Sequence, residues 1–272
     1  MISRLKLKVV MFGAVSLIVF FMGLLSTLAG LRGTEDGPSR MAIPILVYHR
    51  FGPIGADSMT VTTPHFESHV KYLIETSYTV IPLRQLVDYH LGKSKSLPFR
   101  SIAITVDDGH KSVYTDLLPL VRKYKIPVTL FLYPSAISNA PYAMTWDQLR
   151  EIQASGLFDF QGHTYWHPNF KNEKKKLRPP DYEKFVEMQL NKSKEKLAKE
   201  LGIQVDMLSW PFGIYDDYLI QKAVEAGYVS AFTIERSHTK ASDRVMALPR
   251  YLITDADKGK AFGKLLGGSP CS

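Results

Sequence analysis

The chain has 272 residues, with 34 Lys and Arg against 26 Asp and Glu, 45% apolar residues and one cysteine, Cys271. That suits one generous domain, or a domain with a short appendage; low-complexity disorder, an intrachain disulfide framework and zinc sites built on several cysteines are excluded. The net charge of +8 names no partner and no nucleic acid: 31 basic and 26 acidic residues lie beyond residue 29, an ordinary balance of +5.

Residues 9–31 carry no charge, follow Arg4, Lys6 and Lys8, and precede Arg32. At about 1.5 Å per helical residue they just span a hydrocarbon core of roughly 30 Å, and the flanking charges keep the amino end in the cytoplasm. Two readings stay open for residues 1–31. Small residues near Thr27 and Ala29 suit a cleaved signal peptide, whereas the length of the apolar core suits an uncleaved signal anchor holding the chain to the membrane. Both export the remainder of the chain. Residues 32–40 read as a polar linker, 41–255 as the folded domain and 256–272 as a C-terminal tail.

Beyond residue 41 short β-rich runs alternate with amphipathic helical patterns. A strand is expected over 43–48; Thr63 and Pro64 then open a helix whose Phe66, Val70, Leu73 and Ile74 form one apolar face. A strand over 78–81 and a short helix ending near Gly92 follow. The run 101–106 has the continuous apolar character of a strand buried on both faces, 114–124 reads as a helix and 127–132 as the next strand. Thr145, with Gln148 three residues on, is a capping box that opens a helix through Ser155. Next come a strand over 158–161, a lysine-rich helix over 181–201, a strand over 207–210, a helix over 216–226, a strand over 228–233 and an extended run over 245–252. The basic stretch 171–178 reads as a solvated loop, and His65, His69 and His90 as surface residues of amphipathic helices. Strands separated by helices at this spacing imply a mostly parallel α/β sheet, open or closed into a barrel.

Catalytic groups in such a sheet gather where the strands end. Three ends carry unusual residues: Asp107-Asp108-Gly109-His110, Gly162-His163-Thr164-Tyr165-Trp166-His167, and Tyr48-His49-Arg50. Two adjacent carboxylates behind a buried strand need a metal, a cation or a shared proton to offset repulsion and desolvation. One carboxylate with the imidazoles of His163 and His167 makes three ligands and an open position, the pattern of a catalytic metal site. The other carboxylate is then free to take a proton from water, and a third imidazole to return it to a leaving group. Asp-Asp-Gly alone is commonly a turn, and histidines four apart are commonly surface residues. Their joint placement behind predicted strands is what points to a metal.

At these residues, over roughly 41–253, the chain resembles the polysaccharide deacetylase family, the NodB-homology or family 4 carbohydrate esterases. The family's Thr-Phe-Asp-Asp-Gly stands here as Thr105-Val106-Asp107-Asp108-Gly109, and its His-Ser/Thr-x-x-His as His163-Thr164-Tyr165-Trp166-His167. The resemblance implies a distorted (β/α) barrel of about seven strands. It also implies Asp107 as general base and Asp108, His163 and His167 as ligands of a divalent metal, commonly zinc, with Co2+, Ni2+ or Fe2+ as alternatives. The third motif, Arg-x-Pro-Tyr-Gly, corresponds to Ser209-Trp210-Pro211-Phe212-Gly213, which keeps Pro and Gly and lacks the arginine. The backbone N–H of Phe212 matches the family's oxyanion donor, a role that survives side-chain change. For the missing arginine, which orients the base, Arg250 in Leu248-Pro249-Arg250-Tyr251 is the substitute candidate; pairing with a structural acid is the equally good alternative.

The family's carboxyl-terminal acid histidine is absent too, and His238 lies in a polar loop. The branch acting on the poly-N-acetylglucosamine of biofilms carries that histidine in an amino-terminal Tyr-His motif, which Val47-Tyr48-His49-Arg50-Phe51 resembles, so His49 is the expected general acid. Trp166, Trp210 and Tyr215 could stack on sugar rings or serve the core, and His110 could line the pocket or start a helix. The implied activity is metal-dependent removal of N-acetyl groups from an N-acetylglucosamine-containing exopolysaccharide or envelope polysaccharide. Peptidoglycan or chitin deacetylation, O-acetyl ester hydrolysis and sugar binding without catalysis stay open beside it. A serine hydrolase lacks its Gly-x-Ser-x-Gly elbow here, and a zincin protease its His-Glu-x-x-His.

Overall fold

Two apolar runs without polar alternation, ILVY and SIAITV, become neighbouring parallel strands whose residues are buried throughout, as strands covered on both faces must be. The computed structural model describes residues 42–267. In chain order the strands are β1 (Ile45–Tyr48), β2 (Arg50–Gly52), β3 (Thr60–Thr62), β4 (Thr79–Val80), β5 (Ser101–Asp108), β6 (Val128–Leu132), β7 (Phe158–Gly162), β8 (Met207–Ser209), β9 (Ser230–Phe232) and β10 (Tyr251–Leu252). Seven of them form one parallel path in the order β10-β1-β5-β6-β7-β8-β9, with β4 paired to the start of β5, and β2 with β3 as a separate ribbon. The path is a curled α/β half-barrel. An isolated parallel bridge, Phe232 to Leu248, links β9 to the segment that runs into β10.

Helices follow the expected alternation, and the Thr145–Gln148 capping box forms in both halves at the start of Trp146–Ala154. Three expectations change. The basic stretch 171–178 is not a loop: Phe170–Lys176 is a helix, capped by the Asn169 side chain, with Glu173 in its first turn and Lys174, Lys175 and Lys176 in its last, complementing the helix dipole. The run 245–252 is not one strand. It breaks into a 3₁₀ turn, Val245–Ala247, and the two-residue β10, because Pro249 has no N–H to give a ladder. And the apolar face of Thr63–Glu75 excludes Ile74, which is 55% exposed, and includes His69, which is buried with Phe66, Val70 and Leu73.

His69 is held by partners distant in sequence. Its Nε2 lies 2.6 Å from the Asp257 carbonyl, its Nδ1 3.1 Å from the Tyr48 hydroxyl, and its ring stacks on Phe262 at 4.0 Å. Phe262 sits in the helix Lys260–Leu265, within the segment set apart above as a tail, and is itself buried. His65 and His90 stay at the surface, bonded to Asp255 and to the Asp243 carbonyl. Burial pushes the His69 pKa down from 6.5 to about 4. A histidine depressed on folding contributes stability above its unfolded pKa and loses it as pH falls toward the folded one. Acidification from about pH 7 to pH 4 is therefore expected to cost about 3 kcal/mol through this ring. Denaturant midpoints across that range check it, and His69→Gln should flatten the slope.

Among the described residues no helix is long and apolar enough to cross a membrane; the expected span 9–31, the linker 32–40 and Cys271 lie outside them.

Candidate active site

The strand β5 runs two residues further than its apolar stretch predicts, so Asp107 and Asp108 are its last rungs, opposite Phe131 and Leu132 of β6. Side chains alternate along a strand, which puts Thr105 and Asp107 on one face. Asp108 then leaves the β region, with φ 77°. Gly109 follows at φ 78°, where a Cβ would meet Leu132 at 2.8 Å, so this turn needs glycine.

Arg250, fully buried just before β10, lies on the same face as Thr105 and Asp107. Its Nη1 donates to Asp107 Oδ1 at 2.9 Å and to Thr105 Oγ1 at 3.1 Å; its Nη2 donates to Asp107 Oδ2 and to Ser209 Oγ, both at 2.7 Å; its Nε donates to the Thr233 carbonyl at 3.0 Å. All five donors are used. Ser209 Oγ in turn donates to Asp107 Oδ2 at 2.7 Å. Burial pushes the Asp107 carboxyl up, but the Arg250 guanidinium, with His163 and His49, outweighs it and holds the group well below the usual carboxylate range. Asp107 is thus ionised, fixed in a two-pronged ion pair, and left with a lone pair on Oδ1.

Asp108 is the opposite case. Its Oδ1 is buried with no hydrogen-bond partner, 3.6 Å from His163 Nε2 and 3.9 Å from His167 Nε2. One ligand atom from each of these three residues lies within 4.8 Å of the others. A tetrahedral ion with bonds of about 2.1 Å separates its donors by roughly 3.4 Å, so the three fit a divalent metal. An oxygen and two ring nitrogens too far apart to hydrogen-bond, yet facing one another in a buried place, have no better shared partner. His163 Nδ1 lies 2.7 Å from the Ser209 carbonyl, which fixes the tautomer with Nε2 bare toward the centre. His167 is kept neutral, its pKa held down to about 4 by burial and by His163. The two histidines share neither a helical turn nor an extended run: Thr164 and His167 both have positive φ, at 63° and 60°.

The cleft above these groups holds about 330 Å³ and is also lined by His49, Tyr133, Trp210 and Phe212. His49 follows β1, its Nδ1 buried and unpartnered; burial lowers its pKa, opposed by Asp107 and Asp108. Phe212 stands at φ 57°, its ring 4.6 Å from that of His167, and Gly213 beyond it at φ 67° leaves no room for a Cβ beside Ile234.

The family model described as Polysaccharide deacetylase matches residues 94–231, half of the chain, and that span holds Asp107, Asp108, His163, His167 and Phe212. The chain belongs to the polysaccharide deacetylase family. As such it is a hydrolase of amide-linked acyl groups. Over 201 residues it is 28% identical to a poly-beta-1,6-N-acetyl-D-glucosamine N-deacetylase of Staphylococcus aureus, covering 72% of this chain and 68% of that protein. Its fold is similar to that of the Streptococcus pyogenes deacetylase PplD, solved with acetate (TM-score 0.74, 20% identity, 84% of this chain and 99% of that one). It is also similar to IcaB from Ammonifex degensii (TM-score 0.73, 22% identity, 83% and 97%).

In this deacetylase the cleft gathers His49, Asp107, Asp108, His163, His167 and Phe212, and Arg250 stands directly behind Asp107. It leaves out His238, His110 and Trp166. His238 bonds the Tyr251 hydroxyl, His110 bonds Ser112 and stacks on Tyr142, and Trp166, 47% exposed, packs on Phe185. Trp210 walls the cleft and Tyr215 stacks behind it at 6.4 Å. Sequence reasoning missed three contributors. Tyr133 follows β6 and was legible by the strand-end rule. Ser209 occupies the position of the absent arginine but carries no motif signal of its own. Gln189, fully buried in the helix Pro179–Leu201, accepts from the N–H groups of both Tyr165 and Trp166 and so clamps the loop between the two histidines.

Proposed function

We propose that this polysaccharide deacetylase is a divalent-metal-dependent N-deacetylase that releases acetate from an N-acetylglucosamine-containing exopolysaccharide or envelope polysaccharide, with zinc as the metal. One observation carries the reading: Asp108, His163 and His167 offer bare donors to a common point, beside a second carboxylate that Arg250 keeps charged and fixed. A metal held by those three residues supplies Lewis-acid polarisation of the acyl oxygen and eases deprotonation of water.

Asp107 takes the proton of the attacking water through its free Oδ1 lone pair. Arg250 and Ser209 fix the carboxylate, so its orientation costs nothing at the moment of reaction. The N–H of Phe212 donates to the oxygen of the tetrahedral centre. His49, at the end of the neighbouring strand β1, gives a proton to the departing nitrogen as the C–N bond breaks, leaving acetate and a free amine. Trp210, Tyr133 and Phe212 form the apolar walls and exclude bulk water. We infer export to the cell envelope from the charge-flanked apolar segment 9–31, and the 28% identical staphylococcal relative supports a β-1,6-linked polymer as substrate.

The test is acetate release after chelation and zinc re-addition, on β-1,6-linked N-acetylglucosamine oligomers, chitin oligomers and peptidoglycan fragments. Zinc-restored release, greatest on the first, is expected; no release from any of them by metal-replete protein overturns the reading. His49→Ala should lower turnover by about 10²-fold or more while oligosaccharide binding persists. Near-normal rates would move the proton donor to another group.

A further inference from the structure

A second groove opens beside the cleft. Helices that return along a parallel sheet begin on the face where its strands end. The first turns of Pro179–Leu201 and Asp217–Glu225 therefore lie at the same end of the sheet as the cleft. Between them and the helix Phe170–Lys176 is a groove of about 530 Å³, with Lys174, Pro180, Tyr182, Glu183 and Tyr218 among its walls. Both walls are tethered to loops of the site: Phe170 is three residues beyond His167, and Tyr218 six beyond Phe212.

The walls have the chemistry of a sugar site. The Tyr182 and Tyr218 rings stack at 5.9 Å, and Lys174 Nζ stands 5.9 and 5.8 Å from their centroids, anchored to Asp216 at 2.7 Å. Tyr182 is only 5% exposed, yet no hydrogen bond to its hydroxyl or to that of Tyr218 forms among the described residues. Glu183 adds a half-exposed carboxylate, shared with Lys222. An aromatic layer joins groove to cleft: Trp210, a cleft wall, is 6.5 Å from Phe170, Phe170 6.1 Å from Phe185, and Phe185 6.2 Å from Tyr182.

We propose that this groove is a remote subsite for amino-sugar residues of the same polysaccharide chain whose acetylated unit occupies the cleft; it rests on the substrate reading above. The C–H face of a sugar ring packs on Tyr218, sugar hydroxyls donate to Glu183 and pair with the Tyr182 hydroxyl, and an acetamido carbonyl accepts from Lys174. A polymer long enough to touch both sites binds the second intramolecularly, so affinity rises with chain length.

The experiment titrates the full chain, as wild type and Tyr218→Ala, with a β-1,6-linked N-acetylglucosamine dimer and octamer, by calorimetry. Tyr218 is partly exposed, and Tyr218→Phe serves as the conservative control. The expected result is a rise of about tenfold in the octamer-to-dimer Kd ratio for Tyr218→Ala, with the Phe variant near wild type. An unchanged ratio, or octamer and dimer weakened alike, overturns the subsite. Acetate release, measured separately on wild type, keeps the two readings apart. Tyr218-dependent octamer binding without acetate release sinks the hydrolytic reading and leaves the groove standing. Acetate release with a Tyr218-independent ratio sinks the groove alone.

Discussion

Asp107→Asn is expected to lower acetate release by about 10³-fold while the metal content of the purified chain stays unchanged. The two neighbouring aspartates are chemically identical, but their surroundings divide the work. Asp108 offers a buried oxygen with no hydrogen-bond partner, and Asp107 has both oxygens occupied by Arg250 and Ser209. An amide at position 107 still accepts from the guanidinium on one side, so the pocket keeps its shape, but it cannot take a proton from water. Loss of metal from this variant would make Asp107 a ligand and defeat the assignment. Asp108→Asn should behave the other way, losing metal and activity together.

Arg250→Met is expected to destabilise the fold by about 3–5 kcal/mol, because it leaves the buried Asp107 carboxylate without its cation. Phe131 and Phe232, 5.3 and 5.9 Å from the guanidinium, leave water little room to replace it. The Asp107 carboxyl would rise toward its ordinary pKa once its largest favourable partner is gone. Denaturant midpoints measured with an unchanged m-value read the stability loss. Arg250→Met combined with Asp107→Asn should cost less than the two single changes added, since each removes the other's penalty. Arg250→Lys keeps the charge but loses the planar fork that reaches Asp107 twice, Thr105, Ser209 and the Thr233 carbonyl at once, and should rescue folding more than turnover. If turnover recovers fully with lysine, the fork has no orienting role.

The legible parts of this protein are those whose physics is local. Alternating apolar strands and amphipathic helices follow from periodicity, and the donor set was visible because Asp108 stands at one strand end while His163 and His167 share one short loop. The failures are equally physical. His69 looked like a surface histidine on its own helix, yet Asp257, 188 residues away, and Phe262 bury it. The helix Phe170–Lys176 was hidden because its lysines suggested a solvated loop, whereas their position in the last turn suits a helix end.

The parallel α/β architecture, the family motifs and the candidate donor set Asp108, His163 and His167 are legible along the chain, because burial periodicity and ligand spacing are written along a few consecutive positions. The family resemblance named Asp107 as the base and Arg250 as the candidate to orient it, with pairing to a structural acid as the alternative; the contact itself, and the bare oxygen left on Asp108, exist only in the folded chain. Arg250 reaches Asp107 across 143 positions of chain, through space opened by the small Ser209, and no local pattern encodes that meeting. A buried charge is compensated by whatever the fold brings within about 3 Å of it, and that distance exists only once the sheet has curled.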